Sequence, residues 1–285
     1  MIFYQYDRKG GQHVVDFTDV LSGRPAFLVG GAPSLKEQNY KLLETRGVVT
    51  FAINNVGGLF RPTYMVSCDT PRCFDPKLLL DPTLPKFGWN SFAMEPISDK
   101  PLGESIPKYM ECPNQFFFDV LRRGKDSRLL QYYKDIPWKN NSLFAAICIL
   151  RHMGVNKMFL AGSDFGPNKS GEDYSVGAKL DSKEKIWNDM LYKAQVRDLI
   201  KLKPVFEEFG LTIVDTSKNT KLSSVYPTCT IEDGVAECLK GLPPEYATSF
   251  PHVSQMFPGM ADKVVAGQYA VVDEAMALKE TLPND

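Results

Sequence analysis

The stretch Arg24-Pro25-Ala26-Phe27-Leu28-Val29-Gly30-Gly31-Ala32-Pro33-Ser34-Leu35 constrains the fold more than any other. Its apolar half reads as a short strand buried on both faces, and the glycines, proline and serine that follow read as a tight turn into a helix. That is where an α/β sheet holds a nucleotide: glycine lets backbone N–H groups approach an anion, and a helix start adds unpaired donors and a positive dipole end. Gly30, Gly31 and Ser34 are therefore candidate phosphate contacts. The spacing is neither G-x-G-x-x-G nor G-x-x-x-x-G-K-[ST]. An ordinary strand-to-helix turn stays open as the alternative.

The rest of the chain repeats this pattern. Lys36–Leu43 has a helical pattern ending at Gly47, and 48–53 forms a second strand closed by Asn54 and Asn55. A third strand over 63–68 runs into Asp69, which is either a site residue or a cap of the next turn. A short helix and a further strand are expected over 74–87, and the proline-rich stretch 96–113 reads as loop. Asn141 and Ser142 open an apolar helix over 143–150, and an all-apolar helix is a buried one. Residues 156–162 form the next strand, with Asp164 just beyond its end. Asp164-Phe165-Gly166 spells a kinase motif, but no H-R-D catalytic loop precedes it and no G-x-G-x-x-G lies upstream, which rejects a protein kinase.

Residues 167–182, with Asp173, read as a mobile loop or lid. A long amphipathic helix follows over 183–209, then a strand over 211–215. A polar stretch at 216–223 carries the ammonium groups of Lys218 and Lys221, available to phosphate or ribose or simply solvated. Residues 1–23 look like an arm or an added edge strand. The pattern predicts an α/β fold with a mostly parallel sheet and helices on both faces over 1–240, followed by a small helical appendage at 241–285 for dimerisation or docking.

With 33 basic and 34 acidic residues the net charge is -1, so there is no broad basic surface for non-specific nucleic-acid binding. The six cysteines form no C-x-x-C pair and the three histidines lie far apart, which argues against a structural zinc. Scattered thiols, and the lack of a signal peptide or membrane-spanning window, lead to the expectation of a cytoplasmic protein.

Taken in order, Phe27–Leu35, Asn54, Asn141-Ser142 and Phe159–Phe165 resemble the bacterial sialyltransferases of glycosyltransferase family 42. They also resemble the wider superfamily of motility-associated glycosyltransferases and 6-hydroxymethylpterin diphosphokinase-like proteins. The resemblance spans about residues 24–230. It implies a Rossmann-like sheet that binds a nucleotide-activated sugar without an obligatory metal or other cofactor. On that basis Gly30, Gly31, Ser34, Asn54, Asn141 and Ser142 are the expected donor contacts, with Lys218 a further phosphate ligand. The chain departs from the family in three places: Gly31 stands where the family has asparagine, Gly166 where it has tyrosine, and Lys193 near the position of the catalytic histidine. Asp69, Asp164 and Asp173 are the candidate bases, Asp69 first because a strand end holds it. The acceptor is a glycan, a protein or modified nucleic acid. Two alternatives stand beside this reading: an ATP-dependent diphosphokinase with magnesium held by Asp69 and Asp164, and a non-catalytic nucleotide-binding module.

Overall fold

The structure, a computed structural model, describes residues 1–7, 9–102, 105–119, 141–166, 181–217 and 220–242. Its centre is a nine-stranded sheet ordered β2-β1-β7-β6-β5-β4-β3-β8-β9. Seven strands run parallel: β3 (Pro25–Val29), β4 (Val49–Ile53), β5 (Tyr64–Ser67), β6 (Lys86–Trp89), β7 (Gln115–Phe118), β8 (Lys157–Ala161) and β9 (Thr212–Asp215). The hairpin of β1 (Phe3–Tyr6) and β2 (Gln12–Val15) adds an antiparallel edge to β7. Residues 1–23 thus supply the added edge, as two strands. The inner parallel strands are short apolar runs because both of their faces are covered.

One face is closed by two helices, α2 (Ser142–His152) and α3 (Ser182–Glu208). Residues 142–150 of α2 are all buried, packed with Leu199, Leu202 and Phe206 of α3 against Leu28, Val66 and Leu160. On this face the ring of Phe87 lies 5.3 Å from that of Phe3, 5.1 Å from Phe17, 5.5 Å from Phe51 and 5.7 Å from Phe116. These contacts tie the antiparallel edge into the parallel sheet. Near the sheet centre, the other face carries the 3₁₀ segments Pro33–Glu37 and Tyr40–Glu44 and the helix α4 (Ile231–Leu239), around Phe27, Val29, Phe159 and Ala161. A four-residue α1 (Pro76–Leu79) precedes β6.

Three local expectations change. The helix expected over 36–43 is two 3₁₀ turns, Pro33–Glu37 and Tyr40–Glu44. β7 and α4 were not expected at all. The appendage at 241–285 and the lid at 167–182 lie outside the described residues except for 241–242 and 181–182, where 181–182 cap and begin α3.

Topology fixes where a ligand can sit. From β3 the chain steps through β4, β5, β6 and β7 on one side, then returns through α2 to β8 on the other. The β3–β4 connection packs on one face and the β8–β9 connection, α3, on the other. The crevice beyond the carboxyl ends of β3 and β8 is the point where strand order reverses, and open α/β sheets bind ligands there.

Candidate functional site

Glycine at this reversal serves first to let the two strands meet. A Cβ placed on Gly30 would lie 2.5 Å from the Gly162 carbonyl oxygen, and one on Gly162 would press equally on the Gly30 oxygen. The Gly30 N–H donates to Ala161 O at 2.8 Å and the Ala32 N–H to Gly162 O at 3.0 Å, carrying the β3–β8 ladder beyond the strand ends. The expectation that the Gly30 amide is open to a phosphate therefore fails: the neighbouring strand has taken it. Gly31 N–H lies between these two and is not given to β8.

Ser34 and Asp164, 130 residues apart in sequence, turn out to be partners. The Ser34 N–H donates to Asp164 Oδ2 at 3.1 Å, and its hydroxyl donates to Oδ1 of the same carboxylate in a short bond. Ser34 is fully buried and Asp164 is 3% exposed. Burial pushes the Asp164 carboxyl above its ordinary range, and the two Ser34 bonds pull the other way. Asp164 thus caps the 3₁₀ turn that begins at Pro33, with both oxygens accepting from Ser34.

The other grouping forms at the ends of β4 and β5. Asn54 takes a left-handed backbone conformation, φ 56°, unusual for a residue with a side chain. Its Nδ2 donates to Asp69 Oδ2 at 3.0 Å, and its Oδ1 accepts from the Ser142 hydroxyl at 3.2 Å. Ser142 in turn accepts from the Cys68 N–H at 3.0 Å. Asn141 caps α2 by accepting from the Leu143 N–H at 2.9 Å. Asp69, Asn54 and Ser142 therefore meet where the N-terminus of α2 comes down on the carboxyl edge. Asn141 spends its side-chain oxygen on the helix itself.

Asp69 differs from Asp164 in a way that matters for chemistry. Among the described residues its Oδ2 accepts from Asn54, and the group is part-exposed. Burial raises its pKa, and the Asn54 bond opposes the rise. Asp69 is thus a part-buried carboxyl held above its usual range at a strand end, beside Asn54 and Ser142.

Asp69 and Asp164 do not form a pair. Three strand spacings separate β5 from β8, roughly 14 Å at about 4.8 Å each, whereas carboxylates on one magnesium need oxygens about 2.1 Å from the ion. The shared magnesium site of the diphosphokinase alternative is not built by these two residues. Asp173 and Lys218 lie outside the described residues. Lys193, near the position of the family histidine, sits on α3 in an ion pair with Asp189 at 2.6 Å.

One residue at this edge escaped the sequence reading as a candidate. Asp215, fully buried at the end of β9, accepts from the Ser217 N–H at 2.8 Å and from the Thr220 hydroxyl in a short bond. Burial raises its pKa, and the nearby Asp164 adds to the rise. Its signal was present: a strand-closing aspartate followed by Thr216-Ser217, the same pattern as Ser67-Cys68-Asp69-Thr70. Lys221, expected as an ammonium available to phosphate or ribose or simply solvated, donates to Phe165 O at 2.7 Å and lies over the turn after β8.

No protein-family model and no curated protein sequence matches the chain. Among solved structures, it is similar to the sialyltransferase CstII from Campylobacter jejuni in complex with cytidine-5'-monophosphate, at 12% identity and a TM-score of 0.42 over 73% of this chain and 85% of that one. A mammalian sialyltransferase in complex with Gal-beta-1-3GalNAc-ortho-nitrophenol is similar at 10% identity and a TM-score of 0.38, over 67% and 68% of the two chains. The MAf glycosyltransferase from Magnetospirillum magneticum AMB-1 gives 12% identity and a TM-score of 0.43, over 91% of this chain and 40% of that one. At this distance the likeness is one of α/β fold, the class that the sheet order displays directly.

Proposed function

We propose that the chain is a glycosyltransferase that takes a nucleotide-activated sugar and passes it, without a metal, to a hydroxyl of a glycan, a protein or modified nucleic acid. The observation that carries this reading is Asp69: a part-buried carboxylate with a raised pKa, oriented by Asn54 at the carboxyl edge of the sheet.

Glycosyl transfer needs two things, removal of the acceptor proton as the anomeric bond breaks and stabilisation of the departing phosphate. In this reading the acceptor hydroxyl gives its proton to Asp69. The phosphate lies over the β3–β8 crevice, where the Gly31 N–H is not spent on the sheet and Lys221 supplies positive charge.

The test is turnover of a panel of nucleotide sugars with EDTA present, comparing the wild type with Asp69→Asn. Donor hydrolysis or transfer by the wild type, lowered at least about a hundredfold in the variant, is the expected result for a lost general base. Full activity in Asp69→Asn removes that residue's role. Nucleotide binding with no donor turned over favours a non-catalytic module.

A further inference from the structure

The carboxyl ends of β5, β6 and β7 carry three acidic side chains in a row. Asp69 follows β5. Glu95 lies in the loop after β6 and accepts from the Thr70 hydroxyl at 2.7 Å. Asp119 follows β7 and accepts from Asn90 Nδ2 at 3.0 Å. Among the described residues none of the three is in a salt bridge, and Arg72, close in sequence to Asp69, pairs with Asp99 instead, at 3.6 Å. The Cys73 thiol reports the resulting field: burial pushes its pKa up, and the charges of Asp69 and Glu95 push it further the same way. The cationic groups of the site, by contrast, lie toward β8, where Lys221 sits over the Phe165 carbonyl.

Among the described residues, the source of positive potential beside Asp69 is the N-terminus of α2, equivalent to about half a charge. That potential is already occupied. Ser142, the first residue of α2, holds Asn54, and Asn54 holds Asp69, so the carboxylate of the protein stands where an anion of a ligand would be drawn. Among the described residues the edge is divided by charge, with Lys221 toward β3–β8 and Asp69, Glu95 and Asp119 toward β5–β7. The Asp69 carboxylate accepts hydrogen bonds and repels anions.

We infer that Asp69 makes the site selective for nucleotide donors whose sugar is uncharged, and excludes donors with a carboxylate at the anomeric carbon, such as the ulosonic acids. This rests on the glycosyltransferase reading and sharpens it, because a base close enough to serve the reacting hydroxyl is also close to the anomeric substituents. A second anion within about 4–6 Å of Asp69 in a partly screened site weakens binding by about tenfold or more.

The experiment measures Kd by calorimetry for UDP-glucose against UDP, and for CMP-sialic acid against CMP, with wild type and Asp69→Asn, at low and at high salt. In the wild type the neutral sugar keeps or strengthens the affinity of its nucleotide, while the ulosonate weakens it about tenfold. High salt shrinks that penalty and Asp69→Asn abolishes it, since the amide keeps the shape and loses the charge. The salt series in the wild type decides the matter even if the variant does not fold. An ulosonate that binds as tightly as its bare nucleotide overturns the inference, as does a penalty that survives both high salt and Asp69→Asn. Failure of every nucleotide and nucleotide sugar to bind overturns the proposed function itself, and this inference with it.

Discussion

Replacing Gly30 with alanine separates two roles for glycine that look identical in sequence. Gly30 is not among the glycines with positive φ, so alanine meets no backbone penalty there and any cost is steric. The added methyl would sit 2.5 Å from Gly162 O, 3.3 Å from Ser163 Oγ and 3.4 Å from Gly162 C. Two of those atoms are backbone in a neighbouring strand, so relief requires β3 and β8 to part. Forced overpacking costs about 1–3 kcal/mol. Weakening the two bonds that close the strand ends, Gly30 N–H to Ala161 O and Ala32 N–H to Gly162 O, adds about 0.5–1.5 kcal/mol each. The sum is about 2–6 kcal/mol, a fall in Tm of at least roughly 4 °C at about 2 °C per kcal/mol for a chain of this size. Gly58→Ala is the control, because a Cβ there meets nothing within 4 Å. Thermal unfolding by circular dichroism reads both variants. If Gly30→Ala melts with Gly58→Ala yet loses nucleotide affinity, the glycine serves the ligand, and the account of strand approach is refuted.

Other outcomes follow from the same geometry. Turnover by the wild type should fall as pH drops through a pKa above the usual carboxylate range of about 4, because burial holds Asp69 there; a pH–rate profile with no acid limb in that window contradicts Asp69 as base. Asp215 also has its pKa raised by burial, so the folded state favours its protonated form: that stability is full below about pH 3.9 and is lost as pH rises through the raised pKa. The Tm difference between wild type and Asp215→Asn should therefore decline from pH 4 towards neutrality, and a constant difference rejects the assignment. Thr230→Ala removes the hydroxyl that accepts from the Asp233 N–H at 3.1 Å and should cost about 1 kcal/mol in chemical denaturation. Lys86→Met leaves Asp81 O and Leu84 O without the ammonium that bonds each at 2.8 Å, and should destabilise by about 2 kcal/mol or more; an unchanged denaturation midpoint counts against that role.

What could be read in the sequence was what is local. The strands at Pro25–Val29, Val49–Ile53, Tyr64–Ser67 and Lys157–Ala161 show themselves as apolar runs closed by small or polar residues, and α2 as an apolar block behind Asn141. Gln115–Phe118 did not, since four residues after a proline-rich loop give no alternation to count. α4 was missed although Thr230 and Asp233 form a capping box at its start. Lys86 shows the limit plainly: a lysine at a strand start suggests solvent, yet it is 1% exposed because its ammonium binds two turn carbonyls, and burial lowers its pKa to about 7. At the site, strand ends nominated Asn54, Asp69 and Asp164 correctly as edge residues. Their partners were beyond reach, because Ser34 meets Asp164 and Ser142 meets Asn54 only through strand order.

The most direct measurement is a crystal structure with a nucleotide sugar, or its unreactive analogue, bound. The account predicts phosphate oxygens within hydrogen-bond distance of the Gly31 N–H at the β3–β8 crevice and the sugar beside the Asp69 carboxylate. A nucleotide seated at the opposite, amino edge of the sheet, near Lys86 or His152, contradicts it.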